Sequence, residues 1–511
     1  MKSSVVSVFS VVNVSRFLWG AALFMLPITS FRYFPFLGES TYVRPLSLYP
    51  IAFLLLILFF QVTRGKTSIP RAGTLVPLLG FVLLALAATG IGGLLDPLPL
   101  RGQEYLGRVL RAWVTLVIGL AFFVAAIWMN RNEDDLRFSV KWLLAGFVVD
   151  VLWSGIQSLA FYTPLLKKVT VTHWQRTFSM RELVKTNRVS GMAYEPAWLA
   201  GQIATVYLPW LFAALLTRLR VTRFKWLEPA LLGFAVLLLL ATFSRGGLFT
   251  ALGASALTFL LVGRAELRAV WTWFWSGFQR GITSSLLRVG VVVLLLGGLT
   301  GAGLFLSQKE YITRLFSWRA DSISDFIIEN SAGARAAYNF GAWGTYDENP
   351  ITGVGLGASG FYIYDHLPDW ALTTVPEIAR QLNPENRLYP NPKNLYLRLL
   401  AETGLIGFFV FIAFLFSVLG DALHILQSKT TTARYLGIAG IFSWFAVALY
   451  NITQDSFATP NIWINFGILV GMTAFTYPIR APEEHRDDSE RRAEPEAEAG
   501  IGDRGEGLKE Q

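Results

Sequence analysis

A chain of 511 residues with 53% hydrophobic and 15% charged side chains, at a mean hydropathy of +0.46, lies outside the soluble classes, because a soluble domain carries about 25% charged residues. Having no cysteine, it is also excluded from disulfide scaffolds, thiolate metal sites and thiol nucleophiles. The net charge of +9 is uneven: residues 480–511 hold 6 Lys+Arg against 11 Asp+Glu, which leaves 38 against 24, or +14, for the rest.

Crossing about 30 Å of hydrocarbon takes about 20 mostly apolar residues. Such windows fall near 8–30, 43–62, 72–95, 105–129, 139–163, 196–217, 226–243, 247–263, 284–306, 395–419, 434–452 and 460–478. They predict an all-α polytopic membrane protein of about 12 transmembrane helices. The first window begins on Lys2 alone, carries Arg16 inside it and is followed by no small-residue cleavage site, so it reads as a retained span. Short loops rich in Lys and Arg favour the cytoplasm. The loops with Arg64, Lys66 and Arg71, with Arg131, Arg137 and Lys141, with Arg218, Arg220, Arg223 and Lys225, and with Arg264, Arg268 and Arg280 share one side, which places both termini in the cytoplasm.

The predicted organisation is helices 1–9 over residues 1–306, an extracytoplasmic (periplasmic) loop or cap over 307–393, helices 10–12 over 394–479, and a disordered charged cytoplasmic tail over 480–511. A segment as long as 307–393 is usually functional. Its aromatic residues and the Gly353–Gly360 run predict a small helical cap. Gly297, Gly298 and Gly301 read as a close helix contact.

Several familiar signals fail on context. Gly355-Leu-Gly357-Ala-Ser-Gly360 matches a dinucleotide fingerprint but opens no βαβ unit. Glu133-Asp134-Asp135 reads as a solvated charge run, and His173, His366, His424 and His485 are dispersed without ligand spacing, so no metal site is predicted. What remains is an arginine pattern on the outer face: Arg188, Arg245 in the tight Ser244-Arg245-Gly246-Gly247 hairpin, and Arg335. Each has a bland reading as a side chain snorkelling to lipid phosphate. Arg245, between two helix ends, most needs a partner, and guanidinium forks suit a lipid-linked diphosphate. Among the acids, Glu195 precedes Pro196 at a helix start and is either a cap or a general base. Glu402 and Asp150 fall at membrane depth, where carboxylates are functional candidates by default. Asp455 lies in the last outer loop, and Asn394 is placed to cap the tenth span.

Four segments carry a resemblance: Arg188 to Pro196, Ser244 to Gly247, Glu348-Asn-Pro-Ile-Thr-Gly353-Val-Gly355-Leu-Gly357, and Lys393-Asn394 through Ala401-Glu402-Thr-Gly404 to Gly407. In this order they resemble the O-antigen ligase and O-antigen polymerase superfamily. The resemblance implies a metal-independent glycosyltransferase without a cofactor in the bacterial cytoplasmic (inner) membrane. It would act on a glycan carried by undecaprenyl diphosphate, with that donor, a glycan acceptor, the lipid bilayer and other polysaccharide-assembly proteins as partners, and no nucleic acid. It implies that Arg188, Arg245 and Arg335 hold the donor diphosphate. In ligases a histidine stands just before the Asn of the tenth-span motif; here that position is Lys393. Lysine is ordinarily protonated at neutral pH and is a poor base, so Lys393 reads as another phosphate contact. The base role falls to Glu195, with Glu402 or Asp365 next, or to no residue if diphosphate departure drives the reaction. The missing histidine favours a polymerase of lipid-linked repeat units. A ligase acting on lipid A core or another acceptor is the alternative, and a glycolipid flippase or transporter is the alternative from another class.

Overall fold

The computed structural model describes residues 2–33, 42–68, 70–183, 187–279, 281–307, 333–383, 385–386 and 388–477. The helices in chain order are α1 Lys2–Phe24, α2 Leu48–Thr63, α3 Leu75–Gly92, α4 Tyr105–Met129, α5 Glu133–Tyr162, α6 Lys168–Gln175, α7 Pro196–Thr217, α8 Leu227–Ala241, α9 Arg245–Val262, α10 Arg264–Phe278 and α11 Ile282–Ser307. There follow α12 Gly333–Glu348, α13 Asp369–Thr374, α14 Pro376–Leu382, α15 Leu395–Leu426, α16 Thr431–Tyr450 and α17 Pro460–Phe475. Among the described residues there is no β-strand, only isolated bridges, so the architecture is all-α. Among the described residues seven helices are long and apolar enough to cross a membrane: α3 extended to Leu95, α4, α5, α7, α9, α15 and α16. α2, α8, the first part of α11 and α17 are apolar but shorter, at 10–17 residues. Seven full-length spans therefore stand against the expected 12. The acidic tail lies outside the described residues, as does the 308–332 part of the large loop.

Contacts sort the loops into two ends. At one end Arg434 pairs with Glu266 at 2.6 Å, Thr432 and Tyr477 donate to Glu133, and Arg131 reaches Thr67. Glu228 accepts from the Val221 and Thr222 amides in the Arg218–Lys225 loop, and Tyr435 lies in the field of both Glu228 and Arg137. The basic loops therefore gather at one end. Glu133-Asp134-Asp135, expected to be a solvated run, instead opens α5: Glu133 ties it to α16 and to Tyr477, while Asn132 caps it through the Asp135 amide. At the opposite end lie 188–195, 242–247, 349–361 and 451–461, drawn together as described below.

Polar groups inside the bundle satisfy helix irregularities. Pro209 in α7 has no N–H for the Thr205 carbonyl, and the helix widens to a π-turn over Ile203–Tyr207. The Asn465 amide of α17 donates to the freed Thr205 and Val206 carbonyls at 2.8 and 3.2 Å, and its oxygen accepts from Trp210. Without water at this depth, side chains must supply such partners. One expectation fails: a Cβ placed on Gly297, Gly298 or Gly301 would meet nothing within 4 Å, so among the described residues they form no close helix contact. Their face of α11 is turned outward from the bundle.

The Glu348–Gly357 and Ala401–Gly404 motifs form one joint. Val354 and Gly355 donate to the carbonyls of Ala401 and Glu402 at 3.0 and 2.9 Å, and Leu405 donates to Pro350 at 2.8 Å. The apparent dinucleotide fingerprint is thus part of a loop laid against α15. α15 breaks at Gly404, where φ is 62° and ψ is −170°, a conformation that L residues avoid. A Cβ at Gly404 would overlap the Ile351 carbonyl. Gly404→Ala is expected to cost at least about 1–3 kcal/mol from backbone strain alone, read as a lowered melting temperature in detergent. An unchanged melting temperature would show that the joint tolerates a side chain.

Candidate active site

The Arg245 hairpin is built by its neighbours. α8 ends at Ala241, Phe243 takes φ 47°, and Ser244 caps α9 by accepting from the Gly247 amide at 3.3 Å. Arg188 clamps this turn from outside: its Nε and Nη2 donate to the Thr242 and Phe243 carbonyls at 2.9 and 3.2 Å, and the Val189 amide donates to Ala241. Gly247 is required by close approach, since a Cβ there would overlap the Ala200 Cβ of α7. Gly246 faces Thr453. The guanidinium of Arg245 is half-buried at the first position of α9.

The segment joining Arg188 to Glu195 is pinned from α5. Asp150, fully buried, accepts from the Met192 amide at 2.8 Å. Gln157 accepts from the Ser190 and Gly191 amides and donates back to the Gly191 carbonyl, which also receives Gln175. Glu195 then opens α7, its carbonyl accepting from Trp198 and Leu199. Its carboxylate does not cap the helix. It is half-buried, without a hydrogen bond or ion pair among the described residues. Burial, with Tyr42 and Glu195 beside it, pushes the Tyr194 hydroxyl above its ordinary value.

A third group arrives from α15 and α16. Asn394 caps α15 by accepting from the Tyr396 and Leu397 amides. Lys393, just before it, is exposed with φ 57°, and its amide donates to the Asp455 carboxylate at 3.2 Å. Arg398 donates to the Asp455 carbonyl at 2.6 Å and to Glu402 at 2.9 Å; Ser359 donates to the other Glu402 oxygen at 2.9 Å. Glu402 is 2% exposed, so both its oxygens are committed inside the protein. Asp365 is exposed beyond the Gly-rich loop.

Charged groups from three separate segments surround Tyr450 at the end of α16. Its ring lies against Gly201 of α7, and its hydroxyl sits in the combined field of Glu195, Arg335 and Asp455. Arg335 is exposed on the first turn of α12. A small cavity beside Tyr450 is bounded by Thr29, Pro45, Trp198, Gln202 and Asn461, and the buried Gln202 Oε1 has no hydrogen-bond partner among the described residues.

The sequence reading missed Tyr450, Arg398 and Arg108. Arg108 of α4 lies 4.0 Å over the Tyr389 ring, and burial pushes the Tyr389 hydroxyl up while Arg108 works against it. Arg398 carried a usable signal, since it stands four residues before Glu402 on one helix face. Nothing in one sequence links Tyr450 or Arg108 to the outer arginines.

Residues 230–412 match the family model described as O-antigen ligase. That segment is similar to O-antigen ligases. The match covers just over a third of the chain. The matched segment contains Arg245, Arg335, Lys393 and Glu402, whereas Arg188 and Glu195 precede it. No curated protein matches the chain.

Removing one partner of a buried ion pair strands the other charge, which costs about 3–5 kcal/mol. Glu402→Ala is therefore expected to abolish recovery of folded protein, with partial rescue in the Arg398→Met, Glu402→Met double variant. Normal yield and melting temperature of Glu402→Ala would show that the pair is dispensable to the fold.

Proposed function

We propose that the protein polymerises undecaprenyl-diphosphate-linked oligosaccharide repeat units at the outer face of the bacterial cytoplasmic membrane. The observation that carries this reading is the meeting of Glu195, Arg335 and Asp455 around Tyr450, with the Arg188-clamped Arg245 hairpin packed on nearby Thr453 and Ala200, at the end opposite the basic loops. The positive-inside rule puts the basic loops and both termini in the cytoplasm, and so puts this corner outside. Arginines on that side run against the rule, which is explained if they meet an anionic substrate.

In the proposed reaction a hydroxyl oxygen of one lipid-linked glycan bonds to the anomeric carbon of another. The bond from that carbon to the phosphate oxygen breaks, and undecaprenyl diphosphate departs with the electron pair. Arg245 and Arg335 meet the charge that develops on it, Arg188 holds the hairpin that presents Arg245 and adds its own charge, and exposed Lys393 contacts the outer phosphate. This is electrostatic stabilisation with positioning. Glu195, a half-buried carboxylate held at the head of α7, takes the hydroxyl proton. Glu402 is assigned a positioning role, since both its oxygens are engaged by Arg398 and Ser359.

The family description favours one second reading: a ligase with the same donor chemistry and a different acceptor. Purified protein incubated with the lipid-linked repeat unit and a chelator is expected to produce a ladder of glycan multiples on a gel. Transfer only when a second acceptor is added would establish the ligase, and an unaltered substrate under both conditions would overturn glycosyl transfer altogether. Arg245→Ala, folded by size-exclusion chromatography, is expected to lose about 10²–10³ in rate. Glu195→Gln is expected to lose about 10²–10⁴ if it is the base. Full rate in either variant removes that residue from the mechanism.

A further inference from the structure

Residues 264–278, which loop position alone assigned to a connection, form helix α10 between α9 and α11 at the basic end of the molecule. At 15 residues it is about 22 Å long, too short to cross a bilayer core. Leu267, Val270, Trp271, Phe274 and Phe278 recur at helical spacing along one stripe, with Trp275 at its edge. Trp271 is 64% exposed and Val270 61%, so this chain leaves the stripe largely uncovered. The aromatic rings cover one another instead, with Trp271 on Trp275 at 5.5 Å and Phe274 on Phe278 at 5.4 Å.

The rest of the helix is held by the protein. Glu266 pairs with Arg434 of α16. Near the other end, Arg288 of α11 donates to Ser276 at 3.0 Å and lies 5.0 Å over the Trp273 ring. Both anchors fix the rotation of the helix, so the stripe faces outward by construction. Arg264 and Arg268, both exposed, fall along one flank of the stripe at i and i+4.

We propose that α10 lies flat in the headgroup region of the leaflet facing the basic loops, with its aromatic stripe among the upper acyl chains and Arg264 and Arg268 on the phosphates of anionic glycerophospholipids. Two features identify the occupant as lipid. The stripe continues directly into helices on both sides, α9 and α11, whose own outer faces are apolar and exposed, so the same solvent that covers them covers it. Its flank is cationic and its rings include Trp, the composition that settles at a bilayer interface. Only Gly263 separates α10 from α9, so this contact fixes the depth at which α9 stands in the bilayer. The inference does not depend on the proposed chemistry, which lies at the other end of the molecule.

The cysteine-free chain permits a direct test. Single cysteines placed from 264 to 278 in the full protein, spin-labelled and reconstituted in phosphatidylcholine–phosphatidylglycerol vesicles, report collision with oxygen, which favours lipid, and with a water-soluble nickel complex. The expected pattern has oxygen maxima at 267, 270, 271, 274 and 278 and nickel maxima at 268 and 272. Shielding of the stripe from both reagents would mean that protein covers it, and uniform nickel access would mean that it stands in water; either overturns the proposal. For the headgroups, Arg264→Gln and Arg268→Gln are each expected to lower retention of phosphatidylglycerol relative to phosphatidylcholine by about fivefold, as seen by native mass spectrometry, in line with about 1 kcal/mol per cation near an anionic surface. Unchanged retention in the double variant would refute the anionic preference.

Discussion

Hydrocarbon offers no hydrogen bonds, so every polar group held inside this bundle needs a partner from the chain itself. That constraint shapes the places where the helices depart from regularity. Asn465 answers the carbonyls released near Pro209, Asp150 and Gln157 answer the amides of the 190–192 turn, and Arg398 with Ser359 answers Glu402. Each of these joins segments distant in sequence, so satisfying local polarity also determines which helices are neighbours.

The candidate site is a by-product of the same joins. Arg188 is held by the carbonyls at the end of α8, and the next residues of that turn place Arg245 at the start of α9. Small residues let these backbones close: Gly247 against Ala200 brings α9 to α7, and with it brings the hairpin to Glu195. The loop after α16 then contributes Asp455, which ties Lys393 and Arg398 to the same corner. The scaffold thus assembles a cationic corner, with the Glu195 carboxylate free of hydrogen bonds among the described residues, from four separate stretches of chain.

Individual acids illustrate what was readable from residue type. By residue type Glu195 stood first for the base role and Glu402 next. In the folded protein one keeps its carboxylate free of hydrogen bonds among the described residues, while the other is enclosed by Arg398 and Ser359. Periodicity could not separate them, because a lone carboxylate in an apolar run looks the same whether it is paired across space or not. The Glu133 run shows the converse: acids that look solvated in sequence become ties to α16 and Tyr477 because a helix start happens to sit beside them.

Composition and hydropathy by themselves determined the class of molecule, the approximate limits of its apolar helices, the grouping of the basic loops, and the few arginines that lie apart from them. These are legible because transfer of apolar or charged residues into hydrocarbon carries free energies large enough to act residue by residue. Only the tertiary structure decided that the Gly-rich loop and the Ala401–Gly404 segment form one joint, that Tyr450 sits amid Glu195, Arg335 and Asp455, that α10 exists with an outward aromatic stripe, and that the α11 glycines face no partner among the described residues. Those outcomes depend on which helix lies beside which, and that is set by long-range packing and by buried polar pairs whose members are separated by tens to hundreds of residues.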